Sequence, residues 1–418
     1  MLALELGAAL ALLAGAPASA EDAPGARAAG GVRIVEAAEA APATVVGSVG
    51  EVRALDRHGR AARLEVSRSL RGPLERGDEV EVAWEELAAA RAPRFEPGER
   101  ILVSLEALPG HSIWRTRLTD PEQRARTLAL AMAGGAFLRE PAEGTLDALG
   151  HYLWLAREQR EGATGAGYLV ALASRAEPPV AADAVARLAT HAQLAEEIDA
   201  GLGRGLVRAL VRDDGDATLR RALVELIAGH DLRATRPELE RLAAGDPPAP
   251  PEVFEALARL DGGLAPERGA ALLASAPAAQ RRVAVRHLRG PEAEATLASA
   301  LRGDPAPEVR VAAAERLAEL SGEGALEPLL GALSDAEQPV RGAAARLLAG
   351  LGAPATAPLS QVAAGNDAEA ATAAVVGLGL SSDPRAREVL EGIASGDPHS
   401  RLGRLAALAL GEGLGERH

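Results

Sequence analysis

The sequence predicts a multidomain α+β chain: a small antiparallel β-barrel or sandwich followed by an all-α solenoid of repeated helix pairs. Three observations carry this. Strand-like alternation fills residues 31–118 and gives way after Leu118 to helical spacing. From about residue 250 a block of about 30 residues recurs. Seven of the eight aromatic residues (Trp84, Phe95, Trp114, Phe137, Tyr152, Trp154, Tyr168) precede residue 169, so the long C-terminal part must build its core from Ala and Leu. Small side chains fill space only where helix axes approach closely, which suits stacked helix pairs.

The amino terminus opens on an uncharged apolar run, Leu6 to Gly15, closed by Ala16-Pro17-Ala18-Ser19-Ala20 and followed by Glu21-Asp22. An apolar stretch of that length ending in small residues reads as a secretory signal peptide cut after Ala20. It is too short to span a membrane. The expectation is an exported, periplasmic or extracellular protein without a stable membrane anchor. The expected domains are residues 1–20 as signal peptide, 21–119 as a small β-rich domain, 120–144 as a helical connector and 145–418 as the repeats.

Within the β-rich part, strands are expected at 32–35, 44–49, 62–66, 79–84 and 100–105. The clearest is Glu79 to Trp84, where Val80, Val82 and Trp84 share one face. Arg71-Gly72-Pro73, Arg76-Gly77-Asp78 and Pro97-Gly98-Glu99 supply the turns. The layout resembles the small barrel of oligonucleotide/oligosaccharide-binding (OB-like) shape, although no residue motif accompanies it. Thr119-Asp120-Pro121-Glu122 then reads as a helix start, with a capping carboxylate before a first-turn proline.

The repeat is most regular near the end. Blocks starting at residues 311, 342, 371 and 401 lie 31, 29 and 30 residues apart, each preceded by an acidic start at Asp304, Asp335, Asp367 or Asp397. A second helical phrase lies between blocks, at 326–333, 357–365 and 387–396, and looser copies centre on 252–260, 218–229, 180–190 and 147–156. One such unit cannot bury its apolar face alone, so neighbours must stack.

Asp304 with Val309-Arg310 and Asp335 with Val340-Arg341, the Ala columns that follow, Leu317 and Leu348, and Pro328 and Pro358 together resemble HEAT repeats, of the short type also found in phycobilisome lyases. The resemblance covers roughly 145–415. It implies that Asp and Arg link adjacent repeats and that the Val-Arg helix lines the concave face. Ala370 stands where the next Arg is expected, which puts that link in doubt.

Composition and motif searches limit the chemistry. A net charge of −14 argues against nucleic acid as a partner and against anionic membranes, where binding needs basic surface. The absence of Cys excludes disulfides, thiolate metal sites and Cys nucleophiles, and the absence of Lys excludes a phosphate loop. The eight histidines are scattered, no His-Glu dipeptide occurs, and Gly47-Ser48-Val49-Gly50 falls short of a nucleophile elbow. No cofactor or metal is called for.

One basic feature stands out. Arg282, Arg286 and Arg289 are spaced i, i+4 and i+7, which places them on one helical face. Such a stripe could grip a carboxylate or acidic segment; as a solvated face, it would pair with Glu292, Glu294 or Glu315. The leading expectation is a non-enzymatic scaffold binding a protein partner on the concave face. The alternative is an accessory or lyase-like module holding a small molecule between the β-domain and the first helices, where Trp114, Tyr152, Trp154 and Tyr168 would gather.

Overall fold

The computed structural model describes residues 33–85, 93–108, 112–131, 136–213, 216–245, 249–274, 277–290 and 292–411. The expected signal peptide lies outside them. By contacts the chain divides into two compact units, one ending at Leu260 and the other starting at Asp261.

The first unit opens with a helix rather than the expected strand at 32–35. Ile34–Ala40 forms α1, because Ile34-Val35 runs straight into Glu-Ala-Ala-Glu-Ala and buries Ile34, Val35, Ala37 and Ala38 on one face. Four strands follow near their expected places: β1 Ala43–Ala54, β2 Gly59–Arg71, β3 Glu79–Glu85 and β4 Arg100–Ala107. Gly72, Gly77 and Gly98 all take positive φ, so the three predicted turns use glycine for its left-handed freedom. After α2 (Ser112–Arg117) comes α3 (Pro121–Arg126), whose cap is the predicted one: the Asp120 carboxylate accepts from the Glu122 amide.

Beyond Arg126 the expected helical connector fails. Thr127–Leu130 and Phe137–Arg139 are strands β5 and β6, which place Ala129, Leu130 and Leu138 in the interior. The apolar residues of 127–132 fit either period over so short a run, and the open edges of β3 and β4 decided between them. The pairing runs β1–β2–β3–β5–β4 and returns from β4 to β1, closing a five-stranded barrel with β6 added beside β4. All pairs are antiparallel except β3–β5. Closure leaves no open edges in the ring, and strand number and shape agree with the resemblance. Inside, Phe95 stands edge-on to both Trp84 and Phe137 at centroid distances of 5.1 and 5.0 Å, and Trp84 Nε1 donates to the Pro93 carbonyl at 2.9 Å.

Helices then run to the end of the unit: α4 Glu143–Trp154, α5 Arg157–Arg160, α6 Ala163–Arg175, α7 Pro178–Thr190, α8 Ala192–Glu196, α9 Ala200–Leu210, α10 Ala217–Gly229, α11 Arg236–Ala243 and α12 Pro251–Leu260. They stack in two layers, with α4, α6 and α9 in one and α7, α10 and α12 in the other. The loose copies read from sequence at 147–156, 180–190, 218–229 and 252–260 correspond to α4, α7, α10 and α12. The barrel and these helices belong to one compact unit.

The second unit consists of five helix pairs: α13 Pro266–Leu273 with α14 Ala278–His287, α15 Ala293–Gly303 with α16 Pro307–Ser321, α17 Leu326–Ala332 with α18 Gln338–Leu351, α19 Ala353–Ala363 with α20 Ala368–Leu380, and α21 Pro384–Gly396 with α22 Arg401–Ala409. The second helix of each pair packs on the second helix of the next, more extensively than the first helices do. Their contact surface is the Ala columns: Ala312, Ala313, Ala314, Ala344, Ala345, Ala373 and Ala374 are at most 2% exposed. Leu317, Leu329, Leu333, Leu348 and Leu359 fill the layer beneath as one continuous core.

Candidate functional site

Along the second layer, each repeat is tied to the next by an arginine. Arg281 on α14 makes a two-pronged bridge to Asp304, with Nε–Oδ2 and Nη2–Oδ1 both 2.8 Å. Arg310 on α16 repeats this with Asp335 at 2.8 and 2.7 Å, while its Nη1 donates to the Asp304 carbonyl at 2.7 Å. The aspartates also cap: Asp304 accepts from the Ala306 amide at 2.9 Å and Asp335 from the Glu337 amide at 2.8 Å. Each carboxylate therefore closes a helix start and a repeat junction together. Burial would push both carboxyls up, but the arginines, together with the capping amides, more than reverse this and hold both below the usual aspartate range.

The third link departs too, one repeat earlier than the missing arginine at Ala370. Arg341 on α18 keeps the carbonyl contacts, to Asp335 at 2.8 Å and Ala336 at 2.9 Å, yet its carboxylate partner is Glu369 at 2.9 Å. Asp367 turns to the Glu369 and Ala370 amides instead. Glu369 also meets Arg401 of α22 at 3.2 Å, which carries the connection past the alanine. Arg281 as the first rung was missed in sequence; its signal was register, since it stands 29 residues before Arg310.

The three-arginine stripe is not one face. Helix α14 ends at His287, because Leu288 turns to extended backbone and pairs with Leu264, whose amide donates to the His287 carbonyl at 2.9 Å. Arg289 thus leaves the helix and donates to the Asp261 carbonyl at 2.8 Å. Arg282 and Arg286 remain on α14, Arg282 exposed and Arg286 half-buried. In later repeats Arg282 aligns with Val311, Gly342 and Ala371, and Arg286 with Glu315 and Arg346; of these only Arg346 is basic, and it pairs with Glu315 at 3.2 Å.

The aromatic gathering on which the alternative reading depended does not form. Trp114 packs with Ala61 and Ala83 on the outside of the barrel, its ring capped by the Arg117 guanidinium at 4.9 Å. Tyr152 is fully buried and its hydroxyl donates to Glu39. Trp154 is 79% exposed, and Tyr168 stacks on His151. The apolar crevice inside the barrel, lined by Val49, Leu64, Val82, Trp84, Phe95 and Ile101, is the barrel's own core. Among the described residues no group of three or more His, Asp or Glu is placed to hold a metal, and no helix is long and apolar enough to cross a membrane.

Comparison with known proteins agrees with the repeat geometry. Residues 265–349 match the family model for HEAT repeats. The repeats are HEAT-like. The matched stretch runs from α13 through most of α18 and contains the Arg281–Asp304 and Arg310–Asp335 rungs. Among solved structures, a designed armadillo repeat protein in complex with the peptide (KR)4 is 20% identical and covers 58% of this chain and 98% of its own, with a TM-score of 0.19. No curated protein matches the chain.

Proposed function

We propose that this protein is a non-enzymatic scaffold that binds a protein partner along the second-helix layer of its HEAT-like array. The observation that carries the reading is the continuity of that layer from α14 to α22, where repeat-to-repeat contacts occupy the buried arginines. A repeat surface spreads recognition over many small contacts and needs no cofactor. On this face Arg282 and Arg286 are the basic end, a local positive feature in a chain of charge −14 that would steer an acidic segment.

Affinity capture with residues 21–418 as bait, at low and high salt, tests the reading. Changing Arg282 and Arg286 to Glu together is expected to cut capture at least tenfold and to flatten its salt dependence, with the melting temperature within about 2 °C of the parent. Normal capture by the variant would reduce the two arginines to a solvated face. Unfolding would make them structural.

Export belongs to the same proposal and rests on the run from Leu6 to Ala20. Mass spectrometry of protein purified from the producing cell's envelope fraction should place Glu21 at the amino terminus; a peptide beginning at Met1 or Leu2 in that material would end the export reading.

A further inference from the structure

We propose that α1 is a pH-sensitive strap, held at its first turn by Asp183 of α7 and released as the solution passes from acid to neutral. Helix α1 has no capping side chain of its own at Arg33. The cap comes instead from far along the chain: one carboxylate oxygen of Asp183 accepts from the amides of both Val35 and Glu36, the second at 3.3 Å. Asp183 is only 8% exposed and sits among Val180, Ala184 and the buried face of α1. A carboxyl so enclosed is neutral at low cost and charged at high cost.

The far end is held as well. Arg71 of β2 donates to the carbonyls of Ala38 and Glu39, the first at 3.1 Å. The Glu39 carboxylate takes the Tyr152 hydroxyl from α4 and meets Arg187 of α7 at 3.0 Å. Seven residues are too few for a free helix to persist in water, so α1 has two states, docked or unravelled. Docking covers Ile34, Val35, Ala37 and Ala38 against α7, α4 and β4.

Burial, opposed in part by the Val35 and Glu36 amides, raises Asp183 from an ordinary 3.8 to about 6. Of the charges around it, Glu36 works against ionisation and Arg33 favours it. His191 at the end of α7 hydrogen-bonds Arg187 and is the nearby imidazole whose effect must be separated. Because the docked value lies above the solvated one, docking is strongest below about 4 and weakens as pH rises through about 6.

Hydrogen exchange on the whole protein, corrected for the intrinsic pH dependence of amide chemistry, reads the opening of residues 35–38 directly. The opening constant should rise about tenfold between pH 5 and 7.5 and then level off. Asp183→Asn should remove that dependence while far-ultraviolet circular dichroism stays unchanged. Should this variant misfold, Glu36→Gln provides the second reading, because loss of the facing carboxylate should move the midpoint to lower pH. A flat parent profile overturns the proposal. So does a tenfold rise surviving in Asp183→Asn, which would assign it to His191, or a midpoint that Glu36→Gln leaves in place.

Discussion

Replacing Asp335 with alanine is expected to destabilise the unit from Asp261 onward by about 3 kcal/mol, at the lower end of what breaking a buried ion pair costs. Asp335 and Arg310 are 11% and 10% exposed along their side chains, so removing one leaves the other charged and poorly solvated. The loss is compounded because the same carboxylate caps the Glu337 amide. Removing both charges is expected to be milder. Arg310→Met with Asp335→Leu should recover much of the loss, since a desolvated pair earns back little beyond what it costs to bury. Chemical denaturation followed by exchange at α16 and α18 measures both. A single-variant loss under about 0.5 kcal/mol would show that the rung behaves as a surface pair. The acid response follows with its sign. Asp304 and Asp335 lie below the usual aspartate range, so their contribution is full above that range and disappears as pH falls through their lowered values. Acid therefore loosens this unit below about pH 4, in the direction opposite to the Asp183 strap.

The repeats were legible because their signal is redundant. Asp304 and Asp335 mark the same position, the Ala columns mark the next, and any one copy can degrade without hiding the period. The turns at Gly72, Gly77 and Gly98 were legible for a different reason: positive φ restricts the choice of residue to one. What failed was local sequence read without its partners. Ile34-Val35 has strand composition when read without the helical run that follows it, and the carboxylate that caps its helix, Asp183, lies 148 residues beyond Val35. Thr127–Leu130 is strand because β3 and β4 both need a neighbour there, which no window around it records.

The arginine stripe failed at a helix end. Spacing of i, i+4 and i+7 places residues together only while the helix continues, and here it ends before Arg289, where Leu288 pairs with Leu264 and Gly290 takes positive φ. Its neighbour Arg281, one residue earlier, proved to be the structural one. On a repeat helix, adjacent positions face the next repeat or the solvent, so a cluster of arginines contains both kinds. Only the register of the whole array separates them.

Leu317→Ala is expected to cost about 4 kcal/mol, towards the upper part of the range for a buried leucine. Leu317 is 2% exposed, on the second helix of its pair, and Leu348 occupies the matching place in the next repeat, fully buried. The neighbours explain why the cost should be high. A cavity shrinks when surrounding side chains lean into it, and much of the core that Leu317 shares is alanine, with Ala312, Ala313, Ala314, Ala344 and Ala345 having little side-chain reach to lend. Helix axes already in close contact through alanine cannot move nearer, so most of the cavity should persist. Leu317→Met, which nearly conserves volume, should lose less than about 1.5 kcal/mol. The damage should also be local. Stability in a stacked array is close to a sum over neighbouring repeats, so exchange protection should fall from α15 to α18 and recover with distance. The barrel strands β1 to β4 belong to the other compact unit and should keep their protection. An equal loss of protection in those strands would mean that the two units unfold as one, and the division at Leu260 would have no energetic meaning.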